Sequence, residues 1–299
     1  MSQSKGNYTA KLRAKSMLYF VICIILTLIC LVPIYIMVIN ATRTHVDIIN
    51  SVSFIPGSNL AANVKKLLND PMFQFDPFIG FKNSAIIAVC STVLSVFFSA
   101  LTAYGLVVYD FKLRGPAYTF ILLVMMVPMQ VTSVGFLQFM IKLGLSDSYI
   151  PLIVPTIAAP AIVFFMRQYL KSSFPLDIVE AARIDGCGEF RTFLTIAIPM
   201  MKPAIAVQAI FAFIQNWNNF YQPSMILVSR KFEQLTMPMM INALKSNDKI
   251  ADYGVIYAGI ALSIIPVVVI YLLLSRFIVE GVAPVSYTHL RAHETSLHL

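Results

Sequence analysis

The sequence has little charge for its length. Asp, Glu, Lys and Arg together make up 12% of the 299 residues, whereas hydrophobic residues make up 58%. Soluble domains carry about 25% charged residues. So little charge excludes a soluble globular fold, a disordered chain and a coiled coil. The four cysteines form no CxxC pair, which excludes a disulfide scaffold or a cysteine metal site. The composition indicates an integral membrane protein.

Charged residues are absent from six long apolar runs. These runs are residues 16–42, 83–109, 115–141, 148–166, 203–229 and 253–275. A spanning helix needs about 20 residues to cross a hydrocarbon core of ~30 Å, so every run is long enough. Backbone groups in lipid must bond to one another, and the short alternating segments of a β-barrel are absent. We therefore predict an all-α integral membrane protein with six transmembrane helices.

The N-terminal tail, residues 1–15, contains basic residues and no acidic residue. Basic residues beside a span stay in the cytosol. We therefore expect cytosolic N- and C-termini, a first transmembrane helix at 16–42 and an extracytoplasmic loop at 43–82. The net charge of +8 is interpreted in the same way, as basic loops beside the bilayer and not as a nucleic-acid surface.

The six runs also lack any group that could relay protons. Proton-coupled carriers usually keep an ionisable residue inside the membrane, so we expect the energy for transport to come from another subunit. Neutral polar residues do mark these runs, among them Asn83, Ser91, Ser99, Gln130, Thr132, Ser133, Gln138, Gln215 and Gln222. They suit a path for an uncharged polar solute, but small polar residues also allow close helix packing, which we favour for the Ser and Thr rows. Pro151, Pro155 and Pro160 interrupt the fourth run, either at a transport path or at kinks inside a bundle.

Residues 167–202 form the segment with the most specific pattern. Pro175 stands where a helix would begin and Gly186 where it would end. A second amphipathic stretch follows and ends at Pro199. The pattern predicts that the chain leaves the membrane, forms a short exposed helix, turns and re-enters. Such a segment is a cytosolic docking element whose partner the pattern alone does not name.

The spacing within this segment resembles the EAA loop of ABC-importer permeases. Glu180-Ala181-Ala182 is followed by three residues, Gly186, nine residues and then Ile196-Ala197-Ile198-Pro199. The departure from the family pattern is Ile198, where Leu is usual. The resemblance implies a coupling helix at about 175–186, seated in a groove of a cytosolic ATPase, and a type I ABC importer transmembrane core over 83–276. The implied ATPase contacts are Glu180, Ala181, Ala182, Asp185 and Gly186.

Further motifs resemble the carbohydrate-uptake branch of that family. Asn216-Trp217-Asn218-Asn219-Phe220, with Pro223, is similar to its WN(D/N)F stretch, and Leu235-Thr236-Met237-Pro238 fits as well. Over about residues 15–282 the chain resembles the smaller permease subunit of the maltose and glycerol-3-phosphate type importers of the bacterial inner membrane.

The partners that this resemblance implies are a second homologous permease, a cytosolic ABC ATPase dimer and an extracytoplasmic solute-binding protein, besides the lipid bilayer and a sugar substrate. ATP and Mg would be used by the ATPase, since this chain has no Gly-x4-Gly-Lys-Ser/Thr loop to hold phosphates. We expect the chain to bind no cofactor, metal or nucleic acid, and to be a transport subunit and not an enzyme.

The candidate substrate pathway is the amide-rich stretch of Gln215, Asn216, Trp217, Asn218 and Asn219. Its amides would cover several faces of a regular helix, so we predict local unwinding or a helix end near Trp217. The Trp217 ring either stacks on a sugar or, as is commoner for Trp near the end of a span, anchors the helix at the membrane interface.

The end of the chain departs from the family pattern. Residues 283–299 hold three of the four histidines, but His289 and His293 do not form a HExxH motif. We expect a non-native or disordered tail and not a metal site. The alternative hypothesis for the whole chain is a stand-alone secondary carrier or channel for a polar neutral solute.

Overall fold

The computed structural model describes residues 2–246 and 252–295. Regular structure within these ranges is helical, which confirms the predicted all-α class. The α-helices, in chain order, are α1 (Ser2–Ala41), α2 (His45–Asn50), α3 (Leu60–Asn69), α4 (Pro77–Val108), α5 (Arg114–Met125), α6 (Met129–Lys142), α7 (Ile150–Ile153), α8 (Pro160–Ser173), α9 (Asp177–Ile184), α10 (Glu189–Thr192), α11 (Ile198–Met200), α12 (Lys202–Trp217), α13 (Tyr221–Ile226), α14 (Met237–Ser246) and α15 (Tyr253–Thr295). Short 3₁₀ turns lie at Pro71–Phe73, Val154–Ile157 and Phe232–Gln234, and a π-helical turn lies at Phe193–Ala197.

Four stretches are long and apolar enough to cross a membrane, namely Lys15–Ala41, Pro71–Val108, Ile150–Ser173 and Tyr253–Ser275. Two further candidates are bent pairs, Arg114–Met125 with Met129–Lys142 at 93° and Glu189–Met200 with Lys202–Trp217 at 80°. The described residues therefore agree with the six predicted crossings if each bent pair is one crossing. The orientation of the termini stays a prediction.

Proline accounts for the breaks that the sequence pattern missed. Pro128 precedes α6 in extended backbone, and its ring lacks the N–H that would continue α5. The second bend falls between Pro199 and Pro203, the latter within the first turn of α12. In the fourth run Pro151, Pro155 and Pro160 each stand at the start of a helical segment.

The fourth run extends further than its charge-free length indicates. Helix α8 continues through Arg167 to Ser173. Arg167 is buried, and its guanidinium carbon lies 3.7 Å from the centroid of the Tyr118 ring on α5. The aromatic face shields the cation at this position. The helix therefore does not end where the first charge appears.

Two compact units divide the chain. One comprises Met1–Phe75 and Ile241–Leu262. Within it, Asn63 of α3 donates to the backbone oxygens of Ala41 and Arg43, at 2.8 and 2.9 Å. Gly254 is required at the start of α15, because a Cβ there would lie 2.5 Å from the Arg43 carbonyl oxygen. Most of the predicted loop 43–82 belongs to this unit and contains two helices, α2 and α3.

The other unit comprises Asp76–Met240 and Ser263–Leu299. Its central helix is α4, which packs against α8 and α12. The polar residues of α4 bond to other neighbouring segments: Ser91 donates to the Leu152 oxygen of α7 at 3.2 Å, and Asn83 donates to the Glu233 and Leu235 oxygens. The structure thus supports the interpretation of the Ser row as helix packing.

Helix α15 takes in residues 283–295 of the predicted tail, and residues 296–299 lie outside the described residues. That the tail is non-native or disordered stays a prediction.

Candidate functional site

The predicted docking helix is present as α9, Asp177–Ile184, within the expected range 175–186. Asp177 and Glu180 lie in its first turn and Arg183 in its last. Acidic residues at the N-terminus and a basic residue at the C-terminus complement the helix dipole. With only eight residues, α9 is too short to be stable alone, so its position depends on contacts with the rest of the chain.

Gly186 ends this helix in a left-handed conformation, with φ of +74°. The Cys187 N–H donates to the Ala182 oxygen at 2.9 Å, and the Gly186 N–H donates to the Arg183 oxygen at 3.0 Å. This pair of bonds is the Schellman motif, in which glycine is favoured because it has no Cβ. The predicted helix end at Gly186 is therefore confirmed.

One face of α9 is fixed in the core. Val179 is buried in a cluster with Tyr104, Phe174 and Phe193. Ala182, one turn later, is buried too. Positions three apart lie on the same face of a helix, so these two residues seat α9 against the unit. Of the predicted ATPase contacts, Ala182 therefore faces the chain's own core.

The other predicted contacts, Glu180, Ala181, Asp185 and Gly186, are all exposed. The structure adds two residues that the motif did not identify. Ile184 is 87% exposed and Phe190 is 58% exposed. Both lie in the same short segment as the predicted contacts, and together they give it exposed apolar area. The sequence could have identified Ile184, because it is an isolated apolar residue between the charged residues Arg183 and Asp185.

A carboxylate joins the end of α9 to two other elements. Glu189, at the start of α10, accepts from Arg183 Nε at 2.7 Å and from the Tyr109 hydroxyl at 2.7 Å. Tyr109 follows directly on α4. Burial and, after it, the hydrogen bond to Glu189 raise the pKa of Tyr109 to about 12. The phenol therefore stays protonated, and remains a donor, at physiological pH.

The amide-rich stretch lies where α12 stops. The helix ends at Trp217 with Asn218 as its cap, as the crowding of amides predicted. Gln215 and Asn218 are exposed, whereas Asn216 and Asn219 are half-buried. The Asn216 side chain donates to the Ala212 oxygen at 2.8 Å, and the Asn219 side chain donates to Gln222 Oε1 at 2.7 Å.

Trp217 faces the interior of its unit. It is 3% exposed, and its ring lies between Phe81 of α4 and Phe213, with centroids 6.1 and 5.6 Å away. Its Nε1–H donates to the Ser263 oxygen at 3.1 Å. A buried indole with its N–H satisfied is a packing residue. Trp217 is thus closed to a solute in this structure, and its position relative to the membrane interface stays a prediction.

A cavity of about 210 Å³ lies beside the bend between α5 and α6. Most of its lining is apolar, but Thr132, Ser133 and Gln222 contribute polar groups. Ser133 and Tyr221 approach to 2.9 Å between their hydroxyl oxygens, which ties α6 to α13. Thr132 and Ser133 of the third run are thereby brought together with Gln222 of the fifth.

A second hydrogen-bonded carboxylate follows the C-terminal end of α6, whereas the cavity lies beside the N-terminal end of that helix. Asp147 accepts from the Ser229 N–H at 2.8 Å and also from the Ser229 hydroxyl. The hydroxyl bond is the main reason that the pKa of Asp147 lies below its usual value. This cluster has no contact with α9 or α10, so it serves as a reference for the Glu189 cluster.

Comparison with known proteins gives a consistent picture. Residues 95–283 match the family described as "Binding-protein-dependent transport system inner membrane component". The arabinooligosaccharides transport system permease protein of Bacillus subtilis is 34% identical over 86% of this chain and 90% of its own. The lactose transport system permease protein of Rhizobium radiobacter is 32% identical over 82% and 86%. The sn-glycerol-3-phosphate transport system permease protein of Pectobacterium atrosepticum is 28% identical over 87% and 93%.

The fold is also similar to that of a chain in a solved structure, the crystal structure of a bacterial ABC transporter involved in the import of the acidic polysaccharide alginate. The TM-score is 0.71 over 88% of this chain and 96% of that one, at 23% sequence identity. This likeness supports the type I ABC importer fold for the core.

Proposed function

The chain belongs to the family of binding-protein-dependent transport system inner membrane components, and from that premise we propose that it is one permease subunit of an ATP-driven carbohydrate importer. It is a multi-pass membrane protein of the transport machinery. Its proposed partners are a second permease, a cytosolic ABC ATPase dimer and an extracytoplasmic solute-binding protein. ATP and Mg bind to the ATPase in this proposal, and the chain itself holds no cofactor.

The observation that carries the proposal is the docking segment, residues 175–190. It combines an exposed short helix, a glycine at φ of +74° and the projecting side chains of Ile184 and Phe190. A short helix with an apolar tip fits a groove on a protein partner. The partner would be the ATPase, so that its closure on ATP displaces α9.

Relatives transport arabinooligosaccharides, lactose and sn-glycerol-3-phosphate according to their names, and this supports a carbohydrate or a sugar-like solute here. The path would include the cavity with Thr132, Ser133 and Gln222 and the exposed amides of Gln215 and Asn218. Binding sites of this kind combine an apolar lining with a few polar groups.

The test is co-purification of the ATPase followed by uptake. Ile184→Glu should remove the ATPase from the purified complex, because a charge replaces the apolar tip. Val52→Glu is the matched control, since Val52 is an exposed apolar residue outside the docking segment. Uptake is then measured with arabinooligosaccharide, lactose and sn-glycerol-3-phosphate. Uptake that persists after ATPase removal would favour a stand-alone carrier and refute the proposal.

A further inference from the structure

The Glu189 cluster links three elements through one side chain. Glu189 Oε1 accepts from Arg183 Nε, and Oε2 accepts from the Tyr109 hydroxyl and, at 3.4 Å, from Arg183 Nη2. The Arg183 guanidinium carbon also lies 5.7 Å from the centroid of the Tyr109 ring. The three side chains form a closed triangle between the end of α9, the start of α10 and the end of α4.

This triangle contributes to orientation more than to stability. The charged side chains of Arg183 and Glu189 are 40% and 45% exposed, and exposed ion pairs add little to the free energy of folding. By contrast, the core holds α9 through Val179 and Ala182, which lie on a single face. These two contacts seat the helix but lie on one side of it only. The bonds of Arg183 to Glu189, and of Glu189 to Tyr109, add a second attachment at its C-terminal end, which restricts its angle to α4.

We propose that Glu189 is a positioning residue for coupling, which holds α9 at a fixed angle to the end of α4. The proposal rests on the function proposed above, in which the ATPase moves α9. Because α4 packs against α8 and α12, a displacement of α9 that is transmitted through Glu189 reaches the centre of the unit. Without Glu189, α9 moves against the core and less of its displacement reaches α4.

The three residues differ in what each contributes. Glu189 accepts from both partners, so Glu189→Gln removes the charge and leaves an amide N–H₂ facing a donor. Tyr109→Phe removes only one bond and keeps the ring beside Arg183. Tyr109 remains a neutral donor up to strongly alkaline pH. The expected order of effects is therefore Glu189→Gln first and Tyr109→Phe second.

The first experiment needs no partner subunit. Hydrogen exchange is measured on the full chain in lipid nanodiscs, at the amides of α9, Gly186 and Cys187. Glu189→Gln should raise their exchange rates roughly two- to fivefold, the range expected when a half-exposed ion pair is lost, and Tyr109→Phe less. Asp147→Asn is the control, because it alters a bonded carboxylate far from α9. Unchanged exchange in Glu189→Gln would overturn the proposal.

The second experiment separates positioning from docking. In the complete importer, uptake is measured per ATP hydrolysed, with whichever of the three tested solutes the wild type imports. Glu189→Gln should keep the ATPase bound while uptake per ATP falls roughly tenfold. Glu189→Asp keeps the charge on a shorter side chain, so its uptake per ATP should lie between the values of the wild type and of Glu189→Gln. An unchanged ratio with the ATPase bound would refute positioning. A wild type that binds no ATPase would refute the proposed function and leave the exchange result to decide the orientation of α9.

Discussion

The docking segment, 175–190, and the amide-rich stretch, 215–219, each contain the end of a helix, but their large side chains face in opposite directions. Ile184 is 87% exposed, whereas Trp217 is 3% exposed. In the docking segment, polar bonds lie against the protein and an apolar residue projects. In the amide-rich stretch, the indole is buried and amides remain outside. This difference accords with the proposed docking of the first segment on a protein partner, whereas in the second segment a buried indole holds the helix end and exposed amides surround it.

The two helix ends also differ in the contacts of the residue at which each helix ends. Helix α9 ends because Gly186 adopts a positive φ, which is a local property of one residue. Helix α12 ends at Trp217, whose ring is held by Phe81 and by the Ser263 oxygen, both remote in the sequence. Changes at the first end should therefore act on coupling, and changes at the second on folding.

The largest effect is expected at Gly186. Gly186→Val should abolish transport while the chain still reaches the membrane, because a β-branched residue is strained at φ of +74°. Even alanine costs about 1–2 kcal/mol in this conformation. A Cβ there would meet no other atom of this chain within 4 Å, so within the chain the effect is backbone strain. Uptake of the solute and membrane content are both measured.

Gly188 provides the matched control for that substitution. It lies two residues on, has φ of −68°, and also has open space around its Cβ position. Gly188→Val should therefore leave the end of α9 unstrained and reduce transport far less than Gly186→Val. Full uptake by Gly186→Val, or equal loss in both variants, would contradict the assignment of Gly186 as a specific helix terminator.

Features that depend on nearby residues could be predicted from the sequence, whereas contacts between distant segments could not. The EAA spacing located α9 and its terminating glycine, because both are encoded by nearby residues. It did not predict that Ala182 faces inward or that Glu189 binds Tyr109, since those contacts depend on where α4 ends. Charge-free runs located the crossings but not the 93° and 80° bends, which depend on how prolines are accommodated between packed helices.

A smaller effect on transport, but a large one on stability, is expected at Trp217. Trp217→Ala should lower the free energy of unfolding by about 3–5 kcal/mol, as for other large aromatic residues removed from a core. Trp217→Phe keeps most of the ring and loses the bond to the Ser263 oxygen, which is worth about 1 kcal/mol. The loss of stability in each of the two variants is measured by thermal unfolding in detergent and by the amount of folded protein.

Gln215→Ala is the control, since Gln215 lies two residues away and is exposed. Its unfolding temperature should equal that of the wild type. If Trp217→Phe were as stable as the wild type but lost affinity for the solute, the ring would belong to the transport path and the contrast with the docking segment would disappear.

The least disruptive test is thiol labelling of the amides, in a variant that lacks Cys23, Cys30, Cys90 and Cys187. Gln215→Cys and Asn218→Cys should react with a polar maleimide several-fold faster than Asn216→Cys and Asn219→Cys, because a thiol reacts in proportion to its access to solvent. The order follows from burial: positions 215 and 218 are exposed and 216 and 219 are half-buried. Gln215 and the cap residue Asn218 are three apart and so lie on the same side of the end of α12. If the solute path runs along that side, adding the imported solute should slow the labelling of both cysteines together. Equal rates at all four positions would mean that the four side chains are equally open to solvent, and the contrast between exposed and half-buried amides at this helix end would be lost.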